Sequence, residues 1–236
     1  MRALFPLELK AAETARRGQR LVGPVDVRLE GAGCTVVIGP NGAGKTSLLR
    51  LMHGTARLTG GSLRWGCGEA EARQRQAFVF QQPVMLRRSV EENLAYPLRA
   101  RGVARGEARA KARAWAERVG LGAMLGRQAP VLSGGERQKL ALARALIIGP
   151  EVLFLDEPCA ALDGAATRDI EAILSEAKAG GTALVMATHD MGQARRLGDE
   201  VLFLLAGRVR ERGPAQAFFE GPETAEARAF LRGDII

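Results

Sequence analysis

Three short β-type runs stand out along the chain, "CTVVIG", "VLFLDE" and "TALVMATH", and within them "VLFL" and "ALVMA" are apolar at every position. Each is followed by a segment with apolar positions at helical spacing: "GKTSLLRLMHG", "GAATRDIEAILSEAKAG" and "DMGQARRLG". Strand followed by helix, repeated along the chain, predicts βαβ units around a mainly parallel sheet, an α/β fold. Strands apolar at every position, rather than at alternate ones, belong in the interior of such a sheet with helices on both faces.

Two regions depart from this pattern. Near the N-terminus, "LELKAA" and "VDVRLE" alternate apolar with polar residues, which predicts a small antiparallel β part beside the main sheet. Between Pro83 and Leu132 the β-type runs stop and helix patterns take over, the first opened by "SVEE" with Ser89 and Glu92 at capping-box spacing. Residues 84–134 therefore read as a helical subdomain inserted into one domain spanning residues 1–236. After the hairpin-like "LLAGRVRERG", the remaining segment is expected to form one or two closing helices.

Composition narrows the possibilities. With 236 residues, 47% of them apolar, the chain is long enough to bury a large core. Runs such as "VLFLLAG" fall far short of the roughly 20 residues that cross a bilayer, so the chain is expected not to cross a membrane itself. The opening "MRALFPLELK" is broken by Pro6 and Glu8 and lacks a small-residue cleavage pattern, so no signal peptide is expected. Cys34, Cys67 and Cys159 have no paired spacing, which fits reduced thiols rather than a disulfide frame or a zinc site. The net charge of +8 admits nucleic acid, an anionic membrane surface or a polyanionic ligand. The Arg-and-Ala pattern of "RGEARAKARAWAERVG" reads more simply as a solvated helical face.

The chemistry is concentrated in a few motifs. "GPNGAGKTS" (Gly39, Pro40, Asn41, Gly42, Ala43, Gly44, Lys45, Thr46, Ser47) lies after a predicted strand and before a helix, the context of a phosphate-cradling P-loop. Its glycines let backbone N–H groups face phosphates, Lys45 neutralises phosphate oxygens, and the Thr46 hydroxyl can ligate a metal. "VLFLDEP" sets Asp156 and Glu157 at a strand end, Asp156 to hold a metal. Glu157, turned away by strand alternation, is placed to polarise a water. Gln81 after "FVF" can reach a metal or water without adding charge, and His189 after "ALVMAT" can meet a terminal phosphate. His53 beside Gly54 reads as a cap or packing residue. "LSGGERQ" admits two readings, because Ser133 and Glu136 have capping-box spacing while Ser-Gly-Gly before a helix also suits an anion.

In this order, the motifs resemble those of the ATP-binding subunits of ABC transporters, over essentially the whole chain. "GPNGAGKTS" looks like Walker A, Gln81 like the Q-loop residue, "LSGGERQ" like the family signature, "VLFLDEP" like Walker B, "ALD" like the D-loop and His189 like the switch histidine. The resemblance implies ATP and Mg2+ as ligands, with Lys45, Gln81, Glu157 and His189 catalytic. It also implies Thr46, Gln81 and Asp156 on the metal. Two cassettes are then expected to pair head to tail, Ser133, Gly134, Gly135 and Asp163 of one completing the ATP site of the other. The adenine-stacking aromatic of the family is missing from "ARRGQR", which leaves Arg17 as its substitute, and Cys159 and Ala160 stand where the family often has Thr and Ser.

The same resemblance implies partners. Separate membrane permease subunits are expected to dock near Val84, Met85, Leu86, Arg87 and Arg88, on the cytoplasmic face of the membrane, with a substrate-binding protein acting indirectly. The run "VFQQPVMLRRSVEENLAYPLRARGV" is similar to cassettes of tungstate-type oxyanion importers, with phosphate or polar amino-acid importers as the alternatives. An ATPase acting on DNA or the ribosome is the reading from another class, and no nucleic-acid partner is expected.

Overall fold

Period-two alternation within the consecutive apolar strands assigns every side chain to one of two buried layers. In β3 (Cys34–Ile38), Val36 and Ile38 enter one core and Val37 the other; in β6 (Val152–Asp156), Leu153 and Leu155 oppose Val152 and Phe154. The strand β7 (Ala183–Ala187) divides in the same way, Leu184 and Met186 against Val185. A strand buried on both faces leaves few polar positions, here only Thr35 and Asp156, which is why these runs read as nearly continuous apolar sequence.

The computed structural model describes residues 3–234. Its main sheet has six strands in the order β5-β6-β7-β3-β8-β9, with β5 spanning Gln76–Val79, β8 Glu200–Leu205 and β9 Arg208–Pro214. The first five are parallel, and β9 adds antiparallel to β8 at the edge. A second, antiparallel sheet of β1 (Leu7–Arg16), β2 (Gln19–Leu29) and β4 (Gly60–Trp65) covers one face together with α1 (Lys45–His53). On the other face lie α5 (Gly134–Leu146), α6 (Gly164–Ala179), α7 (Met191–Leu197), α8 (Ala215–Glu220) and the end helix α9 (Ala225–Arg232). The fold is thus α/β with a mainly parallel sheet and a small antiparallel one. Sequence pattern does not mark β4, whose "GGSLRW" begins with two glycines, nor the short α2 (Glu69–Gln74).

Between β5 and β6 the chain is helical: α3 (Val90–Ala100), α4 (Arg105–Arg118) and then α5, around a third cluster of buried residues. Ser89 caps α3 with the reciprocal Glu92 bonds that its spacing predicts. In α4 the alanines at every fourth position, Ala108, Ala112 and Ala116, are fully buried. Small side chains on that stripe let α4 lie close against α3 while its arginines face outward. Buried Asn93 ties this region together, its amide donating to the carbonyls of Leu86, Arg88 and Ser89 and its oxygen accepting from the Leu86 N–H. Among the described residues no helix is long and apolar enough to cross a membrane.

His53 is a packing residue, edge-on to both Phe78 and Phe154, and its Nδ1 has no hydrogen-bond partner among the described residues. Burial pushes its imidazole down to about 4, with Arg73 adding to the effect. A folded-state value below the unfolded one means stability that is present above pH about 6.5 and lost as pH falls toward 4. Denaturant unfolding across that window is expected to show a loss of about 3 kcal/mol attributable to His53, and His53→Phe should flatten that part of the profile.

Candidate functional site

The phosphate loop follows directly from where β3 ends. Gly39 has φ 151°, and a Cβ there would lie 2.0 Å from the Leu204 carbonyl oxygen, so the turn out of the strand admits no side chain. Gly44, at φ 102°, caps α1 without a side-chain bond. The first N–H groups of α1 consequently face the loop, the arrangement that favours an anion at a helix start. Lys45 is buried and donates from Nζ to the carbonyls of Gly39 (2.8 Å) and Pro40 (3.1 Å). Burial pulls its ammonium below the usual lysine range, against the opposing pull of Glu157 and Asp156.

The last residue of β6 closes the other side. Buried Asp156 accepts from the Thr46 hydroxyl at 2.9 Å, pairing two oxygen donors across the gap between α1 and β6. Burial raises its pKa above the usual aspartate value, and the Thr46 bond and nearby Arg50 hold part of the shift back. Glu157 departs from the expected strand alternation: the strand stops at Asp156, and Glu157 takes a left-handed conformation (φ 48°) with its N–H bonded to the Ala187 carbonyl. That turn aims the carboxylate at His189, whose Nδ1 lies 2.7 Å from Glu157 Oε2. Left-handed backbone is uncommon for a residue with a Cβ and is tolerated where surroundings enforce it.

These groups surround a single depression of about 480 Å³, lined by Asn41, Gly42, Gly44, Lys45, Thr46, Ser47, Gln81, Glu157 and His189, with Leu21. Gly39, Pro40 and Ala43 complete the loop behind it. Leu21 comes from β2 and is 38% exposed, a large apolar side chain at the pocket mouth. Nothing in its alternating strand singles it out from sequence. Arg17 lies in the turn between β1 and β2 at φ 51° and lines neither this depression nor the next.

Ser133, Gly134, Gly135 and Asp163 line a separate depression of about 340 Å³. Ser133 caps α5 in a full capping box with Glu136, its backbone N–H donating to Glu136 Oε2 at 2.7 Å. Asp163 caps α6, accepting from the Ala166 N–H at 2.8 Å. A Cβ at Gly135 would approach the Ala166 Cβ to 2.9 Å, so the glycine lets the starts of α5 and α6 come close. The capping box that the Ser133 and Glu136 spacing predicts is thus formed, at the start of a helix whose first N–H groups have no intrahelical partner. Cys159 accepts from the amide of Gln193 on α7 at 2.9 Å.

Residues 22–160 match the protein family described as ABC transporter. The phosphate import ATP-binding protein PstB 2 of Natronomonas pharaonis is 35% identical over 93% of this chain and 84% of its own length. The tungstate uptake system ATP-binding protein TupC of Peptoclostridium acidaminophilum is 38% identical over 86% of this chain and 94% of its own. A probable anion import ATP-binding protein of Haloferax volcanii is 36% identical over 90% and 81%. Among solved structures, an ATP-binding subunit of an ABC transporter superposes with TM-score 0.82 at 24% identity, covering 97% of this chain and all of that one. A dimeric ATP-binding cassette in a post-hydrolysis state with ADP and Pi superposes with TM-score 0.78 at 25% identity, covering 89% and 98%.

Because Asp156 is held above its ordinary pKa by burial, ionising it costs the folded protein stability at neutral pH. Asp156→Asn keeps an oxygen to accept from Thr46 and removes the charge. The ligand-free variant is expected to unfold at higher denaturant concentration than the parent at pH 7. That advantage should shrink as pH falls through the raised value and vanish below the ordinary aspartate range.

Proposed function

The chain belongs to the ABC transporter family as one of its ATP-hydrolysing subunits, and from that premise we propose that two copies close head to tail around two Mg-ATP. Their opening and closing drives import of a small oxyanion through separate membrane subunits. The observation that carries this reading is the division of the phosphate-binding groups. Lys45, Thr46, Glu157 and His189 share one depression, with Asp156 bonded to Thr46 behind it, while Ser133, Gly134, Gly135 and Asp163 share another. A triphosphate held in the first leaves its terminal oxygens to be met by the second depression of another copy, so the nucleotide joins the two chains.

Within the first depression each side chain has a task its surroundings prepare. The Lys45 ammonium sits at the loop carbonyls, ready to be drawn onto β- and γ-phosphate oxygens. Glu157 is placed to take a proton from an attacking water, and His189 fixes the carboxylate through Oε2. Mg2+ bound with ATP spreads the phosphate charge, and the paired oxygen donors of Thr46 and Asp156, with the Gln81 amide, fit a hard cation. Leu21, rather than Arg17, offers the apolar wall nearest the loop for the base.

Docking to the membrane subunits is assigned to an apolar groove of about 290 Å³ lined by Phe80, Pro83, Val84, Tyr96, Pro97 and Arg144. Val84, at 74% exposed, and Tyr96, at 49%, present apolar area suited to a short helix laid across it. In this reading the protein works at the cytoplasmic face of the membrane, and a substrate-binding protein acts on it only through the permease. An oxyanion cargo is supported by the phosphate, tungstate and anion importers among its relatives, and no nucleic-acid partner is required.

Glu157→Gln is expected to retain ATP binding and to accumulate as a closed dimer on size-exclusion chromatography; an ATP-bound monomer would contradict the shared site. Ser133→Arg should abolish turnover, by a factor on the order of 10² or more, while leaving ATP affinity of the monomer within a few-fold. Reconstitution with the membrane and binding subunits, followed by ATP turnover with tungstate, phosphate or polar amino acids, reads the cargo. Stimulation by amino acids alone would overturn the oxyanion assignment.

A further inference from the structure

Residues 84–134 carry ten lysine and arginine side chains against four acidic ones, so most of the chain's net charge of +8 is gathered in the helical insert. Part of that charge converges on a cavity of about 330 Å³ between α3 and α4, lined by Arg88, Arg99, Arg105 and Arg109 with Tyr96. Its two carboxylates are already engaged. Glu91 is held by Arg109 at 2.8 Å and Arg113 at 2.7 Å, and Glu92 closes the capping box with Ser89. Arg88, Arg99 and Arg105 are exposed and make no side-chain hydrogen bond or ion pair among the described residues.

The start of α4 adds to the positive field. Its N-cap, Ala104, supplies no side-chain bond, and Arg105 stands at its first position. A cation there opposes the helix dipole, and a bound anion would relieve both it and the unpaired N–H groups. A merely solvated face spreads its arginines outward over water; here three unpaired guanidinium groups border one concavity beside an uncapped helix start. We propose that this cavity binds a phosphate-type oxyanion, either a free ion or the headgroup of an anionic lipid. Planar guanidinium donors suit the oxygens of such a group, and Tyr96, which also borders the apolar groove, places the site next to the proposed membrane-docking surface.

The test uses the full chain saturated with ADP, titrated calorimetrically with inorganic phosphate. In parallel the chain is floated with vesicles of phosphatidylglycerol in phosphatidylcholine, or of phosphatidylcholine alone. Arg99→Gln/Arg105→Gln is compared with Arg208→Gln/Arg210→Gln, which removes equal charge from exposed positions on β9. The first pair is expected to weaken binding about tenfold or more, and the second to leave it within two-fold of the parent, roughly. Loss in the phosphate arm identifies a free ion as ligand, and loss confined to the phosphatidylglycerol vesicles identifies the lipid. Equal weakening by both pairs, or no binding in either arm, overturns the proposal.

Discussion

A buried carboxylate at the end of an apolar strand is the constraint around which this protein is arranged. Asp156 follows four apolar residues and is almost fully buried, so its charge is expensive and must be met by groups delivered from elsewhere. Thr46 reaches it from α1, with Lys45 and Arg50 on the same helix contributing positive charge. The glycine loop exists in the form it does because α1 has to begin close enough to β6 for that meeting. Gly39 and Gly44 accept the tight approaches to β8 and β2 that this position imposes. Sheet, loop and helix are thereby committed to one geometry before any ligand arrives.

The parts of the fold legible in sequence are those in which a single local rule decides. Nearly continuous apolar runs predict β3, β6 and β7, and the reciprocal Ser-x-x-Glu spacing predicts the caps at Ser89 and Ser133, because each depends on residues a few positions apart. What escaped depends on contacts distant in the chain. The direction of Glu157 is set by a left-handed turn bonded to Ala187 rather than by strand alternation. Leu21 enters the pocket mouth only because β2 folds over the loop, and β4 forms because β1 offers it an antiparallel partner. Arg17, chosen by position in the chain to replace the missing aromatic, lies in the turn between β1 and β2 and is not among the residues that line the depression.

The helical insert follows different rules from the sheet. Its core forms a cluster of its own, in which leucines such as Leu94, Leu121 and Leu140 are joined by a stripe of alanines and by a buried polar anchor. The alanine stripe of α4 and the amide of Asn93 show the two devices side by side: one permits close approach, and the other pins an irregular segment by satisfying its backbone. The arginines of α4 then serve as outer covering, with Glu91 as their inward tether. This division lets the insert present both an apolar groove and a cationic cavity without disturbing the packing of the sheet.

Arg144, near the last turn of α5, donates to the carbonyl of Val84 at 2.7 Å and to Asn93 at 3.3 Å, while Ser133 stands at the opposite end of the same helix. Burial lowers the Arg144 pKa, and those partners bind it where water does not compete freely. Thirteen helical residues make a stiff rod about 20 Å long. Any tug on the backbone at Val84 must either break the guanidinium's grip or swing the far tip of that rod, so mechanical strain entering at one surface emerges as a tilt at the other.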